Sequence, residues 1–395
     1  MLKSADALAA SGYNVTVVST CHEPWAADAD RDVRSRRTWP VHVLNYRRGE
    51  SGPTYWWTGV QHRAAGAIVH AMGPERAPLP LVARAFGRVH AALARTVSAI
   101  PADLIYGGTT GALAAIADAA QRCRTPYALD LEDFHSGETS GPEAPFIGAL
   151  ATRIERAVLG GAAFLTTSSE AIATAYHERY GVLPSVVHNT FPLPAQLPDF
   201  TRVKPGTLRL YWFSQTIGEG RGLEDAVRAL GRAGVPAELT LRGRPRDGYI
   251  DALQRLAAAH APRVTVIHQI PAAPDAMVDL ARGYDAGLAL DHGPPRNRTL
   301  CVTNKAFTYI LAGVAVAMSD TPGQHDIGID LGRAAALVPA GDVDALAGAF
   351  AGWAADPGAL DCAKRTAWQA AVRRWHWEHE LERGTLYRLV HERLQ

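Results

Sequence analysis

The sequence predicts an α/β protein with two Rossmann-like domains in tandem. Its 395 residues exceed the roughly 250–300 residues at which a single hydrophobic core stops growing. Short runs rich in β-branched residues alternate with longer helical segments, which is typical of parallel sheets with crossover helices. A proline-rich stretch at residues 191–206 lacks any periodicity and divides this series into two halves.

The first predicted domain covers residues 1–190 and begins in a helix, LKSADALAASG. Six strands follow with helical segments between them: YNVTVVST, WPVHVLNY, ADLIYGG, TPYALDLE, AAFLTTS and PSVVHNT. A doubly wound domain ordinarily starts with a buried strand and a glycine turn. Either this first strand is missing, which would leave an exposed place in the sheet, or the true start lies upstream.

The second predicted domain covers residues 207–355. Its strands are LRLYWFS, AELTLRG, RVTVIHQ, AGLALD, VAVAMSD and AALVPA, and its helices include GLEDAVRALGRAG and NKAFTYILAG. A last helical segment, residues 356–395, is predicted to cross back towards the first domain. Because open α/β sheets bind ligands at the carboxyl ends of their strands, we expect a binding cleft between the two domains.

Composition excludes several classes of function. The 40 lysines and arginines nearly balance 39 acidic residues, so a net charge of +1 provides no general attraction to nucleic acid. The cysteines are scattered without a CxxC pair, which argues against a disulfide framework or a structural zinc site and fits a reducing cytoplasm. They are Cys21, Cys123, Cys301 and Cys362.

No apolar run approaches the ~20 residues that a membrane-spanning helix needs, and no leader peptide is evident. We therefore expect a cytoplasmic protein. Peripheral contact with the inner membrane face is an open alternative, because residues 63–95 mix apolar stretches with arginines and histidines. Ordinary helix surface and core is the favoured interpretation of that segment, since a lipid-facing helix should have a cleaner basic face.

A glycine-rich loop follows the first strand of the second domain. Gly218, Gly220 and Gly222 surround Arg221 just before a helix. Amides of such a loop and a bidentate arginine suit phosphate oxygens, so a diphosphate is the expected ligand. The alternative is a plain strand-to-helix turn. The G-x-G-x-G spacing does not match the dinucleotide fingerprint, which disfavours a nicotinamide-dependent oxidoreductase.

A second anion site is predicted where Thr303, Asn304 and Lys305 begin a helix. Asn304 would otherwise simply cap this helix. In the first domain, a cluster after the strand TPYALDLE suits general base chemistry or hydrogen bonds to sugar hydroxyls, and a solvated turn is the alternative. Its members are Asp130, Glu132, Asp133, His135 and Glu138, with Thr109 and Thr110 on a neighbouring glycine-rich turn.

Three further features are interpreted as structural. His376 and His379 have helical spacing for a metal but no evident third ligand. His188 ends a strand and would either face the cleft or cap it. The aromatic cluster Tyr55–Trp57 is interpreted as core or a loop anchor rather than a sugar platform.

The chain resembles glycosyltransferase family 4, which has the GT-B fold. ALAASGYNVTVVST looks like the family's first helix and second strand, and VVHNTFPL like its interdomain hinge. GEGRGLEDAVRAL is similar to the basic loop that holds the donor diphosphate, and NKAFTYILAGVAVAMSDTPGQ is similar to the donor-binding segment. The resemblance implies donor-binding roles for Arg221, Asn304, Lys305 and Tyr309. The predicted donor site also includes Gln215, Gly218, Gly220 and Thr308.

The sequence departs from the family at three positions. Leu300 and Thr308 stand where the family has two glutamates, and Gln215 stands where a second phosphate-binding arginine is usual. Polar groups that would replace the lost contacts are Asp291, Asn297 and Thr299.

The implied function is transfer of a sugar from a nucleoside diphosphate sugar to an unidentified hydroxyl acceptor, with retention of configuration and without a metal or other cofactor. Arg221 and Lys305 would stabilise the departing diphosphate, while His135 and Asp133 would act on the acceptor. The alternatives are a non-catalytic scaffold that has lost donor chemistry and a nucleotide sugar 2-epimerase.

Overall fold

A computed structural model describes residues 1–22, 31, 34–200 and 206–395. The chain divides into two compact units, Met1–Val187 with Gly384–Gln395 and His188–Arg383. Residues 201–205 of the predicted linker lie outside the described residues. The described remainder of that linker belongs to the second unit, because Phe191 and Leu193 pack against its core.

Strands and helices alternate through the first unit as the sequence pattern predicts. Its strands are β1 (Val17–Cys21), β2 (Val41–Asn45), β3 (Ile105–Gly108), β4 (Tyr127–Leu131), β5 (Leu165–Thr167) and β6 (Ser185–Val186). Its helices are α1 (Leu2–Ala10), α2 (Gly52–Met72), α3 (Leu79–Phe86), α4 (His90–Ser98), α5 (Leu113–Cys123), α6 (Ala144–Val158) and α7 (Glu170–Tyr180).

The described strands of this unit form two separate parallel sheets. β1 pairs with β2, and the second sheet has the order β3-β4-β5-β6. Val18 of β1 and Ile105 of β3 pack against the same apolar cluster, which α4 and α5 supply through Leu93 and Ala119. The two sheets therefore share one helical layer, although no described strand joins them by hydrogen bonds.

The second unit contains one six-stranded parallel sheet of order β12-β11-β10-β7-β8-β9. Its strands are β7 (Leu208–Ile217), β8 (Ala237–Pro245), β9 (Val264–Gln269), β10 (Ala286–Ala289), β11 (Ala315–Asp320) and β12 (Ala335–Pro339). Its helices are α8 (Leu223–Ala233), α9 (Tyr249–His260), α10 (Met277–Ala281), α11 (Arg296–Leu300), α12 (Asn304–Leu311), α13 (His325–Leu331), α14 (Val343–Ala355), α15 (Pro357–Arg373) and α16 (Trp377–Arg383).

Neighbouring residues of β7 face opposite sides of this sheet, as the alternation of a strand requires. Leu210 and Trp212 belong to the apolar cluster on one face, whereas Tyr211 belongs to the cluster on the other. All three side chains are fully buried. Helices cover both faces, which explains why the central strand β10 is apolar and buried along its whole length.

The C-terminal segment predicted for residues 356–395 divides at Gly384. Helices α15 and α16 pack within the second unit, and only α17 (Thr385–Leu394) groups with the first unit. The apolar cluster around α12 includes Ala367 and Trp375, which fixes this segment to the second core. No helix in the described parts of the chain is long and apolar enough to cross a membrane.

Candidate functional site

The glycine loop of the second unit joins the end of β7 to the start of α8. Gly220 and Gly222 both have φ of +71°, a backbone region that glycine enters without the strain other residues incur. A Cβ atom on Gly222 would lie 2.5 Å from the Cβ of Leu290. The loop therefore packs directly against the chain that follows β10, where Asp291 is located.

Asp291 brings together the two cations that the sequence singled out. The Nη1 atom of Arg221 lies 3.0 Å from its Oδ1, and the Nζ atom of Lys305 lies 2.8 Å from its Oδ2. Asp291 itself is 1% exposed. Burial raises the pKa of its carboxyl, but Lys305 and Arg221 lower this pKa by a larger amount. The net pKa is therefore below the ordinary value. Asp291 is therefore a buried carboxylate that holds both cations.

A third cation, Arg298 on α11, completes this group and was missed in the sequence analysis. Its Nη1 atom donates a hydrogen bond of 2.9 Å to the carbonyl oxygen of Gly220. Burial lowers the pKa of Arg298, and the charge of Arg221 lowers it further. The sequence signal that could have identified Arg298 is its position seven residues before Lys305. Arg221, Arg298, Lys305 and Asp291 are named the cationic cluster below, and its three cations exceed its single carboxylate.

The predicted donor-binding residues Gln215, Gly218 and Asn304 differ in their exposure. Gln215 near the end of β7 and Asn304 at the start of α12 are exposed, whereas Gly218 is buried. Thr303 occupies the N-cap position of α12, and neither it nor Asn304 caps the helix with its side chain. The interpretation of Asn304 as a simple cap is therefore wrong.

Thr308 and Tyr309 do not line a ligand surface in this structure. Tyr309 is fully buried, and its hydroxyl donates a hydrogen bond of 3.0 Å to the carbonyl oxygen of Tyr211. Thr308 is 1% exposed and bonds to the carbonyl oxygen of Asn304 within the same helix. Their assignment to donor binding is corrected: both belong to the face of α12 that packs on the sheet.

The positions where the resembling family has glutamates are also internal. Leu300 is 6% exposed, so a glutamate at this position would be buried and its charge would need a partner. Of the suggested replacements, Thr299 bonds to the carbonyl oxygen of Arg296, and Asn297 accepts a bond from the thiol of Cys301. Asp291 is engaged with the two cations, so its role is to hold them.

His135 is the centre of a second polar group, in the first unit. Its Nδ1 atom lies 3.0 Å from Oε1 of Glu138 and 3.1 Å from the hydroxyl oxygen of Thr110. The hydroxyl of Thr110 in turn donates to Oε2 of Glu138. His135 is 3% exposed. These contacts fix the ring and leave its Nε2 atom buried without a hydrogen-bond partner among the described residues.

The charge of His135 depends on Glu138. Burial lowers the pKa of His135, but the hydrogen bond and charge of Glu138 raise it by more, so the net pKa is above the ordinary value. Burial raises the pKa of Glu138, and His135 reverses this effect to a net lowering. The pair therefore favours an imidazolium beside a carboxylate, with Nε2 as a hydrogen-bond donor.

The remaining predicted residues of this unit surround that pair at the carboxyl end of β4. Oδ1 of Asp130 accepts a hydrogen bond of 2.8 Å from the hydroxyl of Thr166. Burial raises the pKa of the Asp130 carboxyl. Burial and the charge of Asp130 likewise raise the pKa of Glu132. Asp133 accepts at its backbone carbonyl from the hydroxyl of Tyr176. Thr109 is exposed and has φ of +78°.

The discounted histidines have structural partners. Nδ1 of His188 lies 3.0 Å from Oε1 of Glu380, and both residues are buried. Nδ1 of His376 contacts the carbonyl oxygen of Ala371 at 2.8 Å. Among the described residues, no group of three or more histidine, cysteine or acidic side chains has the arrangement of a metal site.

The aromatic cluster at the start of α2 differs from its sequence interpretation. Trp56 and Trp57 are 61% and 62% exposed, so they are neither core nor anchors. Tyr55 is half-buried, and the guanidinium of Arg88 lies 4.2 Å from its ring centroid.

Residues 1–190 match the family model described as a glycosyl transferase 4-like domain. A comparison with curated protein sequences gave no significant match. The matched residues include all of the His135 group and none of the cationic cluster.

Comparison with solved structures establishes the fold of the whole chain. A crystal structure of HepE from Anabaena in complex with UDP is similar, with 16% identity, a TM-score of 0.63, and coverage of 95% of this chain and 100% of that one. Sucrose-phosphate synthase from Thermosynechococcus elongatus has 13% identity and a TM-score of 0.63 over 95% and 99% of the two chains. An Escherichia coli structure titled as trehalose-6-phosphate bound with UDP-2-fluoro glucose has 12% identity and a TM-score of 0.59, over 96% and 99%.

Proposed function

We propose that this chain is a glycosyltransferase that transfers a sugar from a nucleoside diphosphate sugar to a hydroxyl acceptor, because residues 1–190 match the model of a glycosyl transferase 4-like domain. The fold class predicted from the sequence, GT-B, is confirmed by full-length similarity to solved structures. The proposal concerns the substrates, the residues that act on them and the stereochemistry.

The cationic cluster is the observation that carries this proposal. Two cations contact one buried carboxylate, and the third, Arg298, has a lowered pKa partly because the charge of Arg221 is close to it. Like charges gathered in this way repel each other until an anion enters. A diphosphate would neutralise the surplus charge, and the adjoining glycine loop supplies backbone amides.

Arg221 and Lys305 would act on the departing diphosphate. Negative charge accumulates on the nucleoside diphosphate as the bond between its oxygen and the anomeric carbon of the donor sugar breaks, and fixed cations stabilise that charge without reorganisation. Asp291 would hold both cations in position before the donor arrives. In this proposal no metal ion or other cofactor takes part, and the product retains the anomeric configuration of the donor.

His135 would bind a sugar or acceptor hydroxyl through Nε2. Because Glu138 holds the Nδ1 atom, the Nε2 atom is the ring nitrogen left for a ligand. Asp133, Glu132 and Asp130 would orient further hydroxyls at the same end of β4, with Thr109 beside them. These contacts are proposed for the first unit alone, and the acceptor's identity is left open.

Calorimetric titration with nucleoside diphosphates tests the donor assignment, beginning with UDP because the similar HepE structures are complexes with it. We expect one nucleotide to bind and Arg221→Ala to weaken it by about tenfold or more, as charge-assisted bidentate bonds are worth ~1.5–3 kcal/mol. Arg228→Ala is the matched control, because Arg228 is an exposed arginine of α8 that pairs with Asp225.

Equal affinity in wild type and Arg221→Ala would remove the cationic cluster as the diphosphate site. Nucleotide binding without donor hydrolysis or transfer to any acceptor would favour the scaffold alternative. The anomeric configuration of the product, read by NMR, tests retention separately.

A further inference from the structure

Helix α2 exposes an apolar face. Trp56 and Trp57 are 61% and 62% exposed, and three further large apolar side chains are between 43% and 48% exposed: Val60, Ile68 and Met72. At 100° per residue these positions, with the exposed alanines 64, 67 and 71, form one continuous arc of the helix. We name this arc the α2 apolar face. The opposite side is buried through Thr58, Gly59, Ala65 and Val69.

Such a face is unusual for a surface helix. Amphipathic helices normally direct polar residues to solvent and apolar residues to the core, whereas here the outer arc is apolar between its borders except for the half-buried Gln61. Exposed Arg63 and His70 lie along one border of the arc. A contiguous apolar surface of this kind indicates an interaction site rather than ordinary solvent-facing surface.

The charge around the α2 apolar face is strongly positive. Residues 44–98 contain seven arginines and only two acidic residues, in a chain whose net charge is +1. Both acidic residues are already paired: Glu50 with Arg47, and Glu75 with Arg156 at 2.9 Å. Other arginines of the segment therefore carry uncompensated charge.

Two of these arginines line an open cavity of about 540 Å³ beside Trp57. Arg88 is held by the carbonyl oxygen of Tyr55 at 2.7 Å. The Nε atom of Arg95 donates to the carbonyl oxygen of Ala91 within its own helix. Neither arginine has an acidic partner in the described residues, so both can contact an external anion.

We propose that the α2 apolar face docks on the surface of an anionic phospholipid bilayer. Exposed tryptophans would enter the headgroup region, and the bordering arginines would contact lipid phosphates. The helix would lie in the interface, because its other side is packed into the protein. A second copy of this chain is a poorer occupant, since a two-fold contact would oppose the same arginines to each other.

Vesicle co-sedimentation of the purified chain tests this proposal without any enzymatic readout. We expect binding to vesicles of phosphatidylcholine and phosphatidylglycerol, with little binding to phosphatidylcholine alone. The double variant Trp56→Gln, Trp57→Gln should reduce partitioning by about tenfold, since affinity scales with buried apolar area. Ile329→Gln on α13 is the control, because Ile329 is 63% exposed and lies in the other unit.

The arginines are tested separately with Arg63→Gln, Arg95→Gln. This variant should lose the preference for anionic vesicles, and 0.5 M salt should weaken wild-type binding because it screens surface charge. Circular dichroism should match wild type for every variant. Equal vesicle binding by the tryptophan variant, or none by wild type, would overturn the proposal. A concentration-dependent dimer that the tryptophan variant abolishes would reassign the face to a second copy.

Discussion

The Nζ atom of Lys305 lies 2.8 Å from Oδ2 of Asp291, and the Oδ1 atom of the same carboxylate contacts Arg221 at 3.0 Å. One buried acidic side chain thus joins residues that are 84 positions apart in the sequence. Lys305 also lies 5.4 Å from the ring centroid of Trp212, so its amino group is fixed between an ion pair and an aromatic ring.

Asp291→Asn should destabilise the second unit. Removing one partner of a buried ion pair leaves the other charge uncompensated, at a cost of about 3–5 kcal/mol. We expect the lower end of that range, because Arg221 is partly exposed to water. Chemical denaturation monitored by tryptophan fluorescence measures the difference in free energy of unfolding. Asp225→Asn, at a half-buried carboxylate that pairs with Arg228, is the milder control.

The destabilisation caused by Asp291→Asn should depend on pH. Because the folded pKa of Asp291 is lowered, its stabilisation is present above the unfolded pKa of about 3.9 and is lost as pH falls through the folded value. The stability difference between wild type and Asp291→Asn should be constant from pH 5 to 7 and shrink only below about pH 4. A difference that already shrinks near pH 6 would contradict this linkage.

Gly222→Ala should cost more stability than a positive φ alone explains. Gly234 has φ of +66° and open space around it, so Gly234→Ala reports the backbone penalty of about 1–2 kcal/mol. A Cβ on Gly222 also meets the carbonyl oxygen of Leu290 at 2.6 Å, which adds overpacking of about 1–3 kcal/mol. Thermal unfolding of the two variants measures this comparison. Equal losses would mean that the loop moves away from Leu290 freely.

Glu138→Gln should lower the pKa of His135, because Glu138 raises it in the folded protein. A raised folded pKa gives stability that is full below the unfolded value of about 6.5 and is lost as pH rises through the folded value. Wild type should therefore lose stability as the pH rises above about 6.5, by an amount that the variant lacks. NMR titration of His135 measures the pKa directly, and Glu143→Gln removes an exposed carboxylate as control.

Arg298→Gln should weaken nucleoside diphosphate binding by about fivefold to tenfold, since a cation that contacts phosphate contributes ~1–1.5 kcal/mol. Arg298 is partly exposed and its side chain bonds to the backbone carbonyls of Gly220 and His292, so we expect little change in stability. Calorimetric titration provides the affinity and thermal unfolding provides the stability. Unchanged affinity would exclude Arg298 from the ligand site and restrict the cationic cluster's role to Arg221 and Lys305.

The order of strands and helices, the glycine loop and the position of Lys305 at a helix start were all determined by the sequence. These features are local: β-branched runs, helical periodicity and glycines at strand ends act over a few residues. For the same reason the family resemblance, which rests on contiguous segments, predicted the GT-B fold.

Only the tertiary structure decided which side of each element is exposed and which is buried. Helical periodicity places Asn304, Lys305, Thr308 and Tyr309 on one turn or the next, but packing on the sheet takes Thr308 and Tyr309 into the core and leaves Asn304 exposed. The meeting of Arg221 and Lys305 at one buried carboxylate and the contact of Arg298 with Gly220 likewise depend on long-range packing. So does the exposure of Trp56 and Trp57. Such contacts join distant parts of the chain, and no local pattern encodes them.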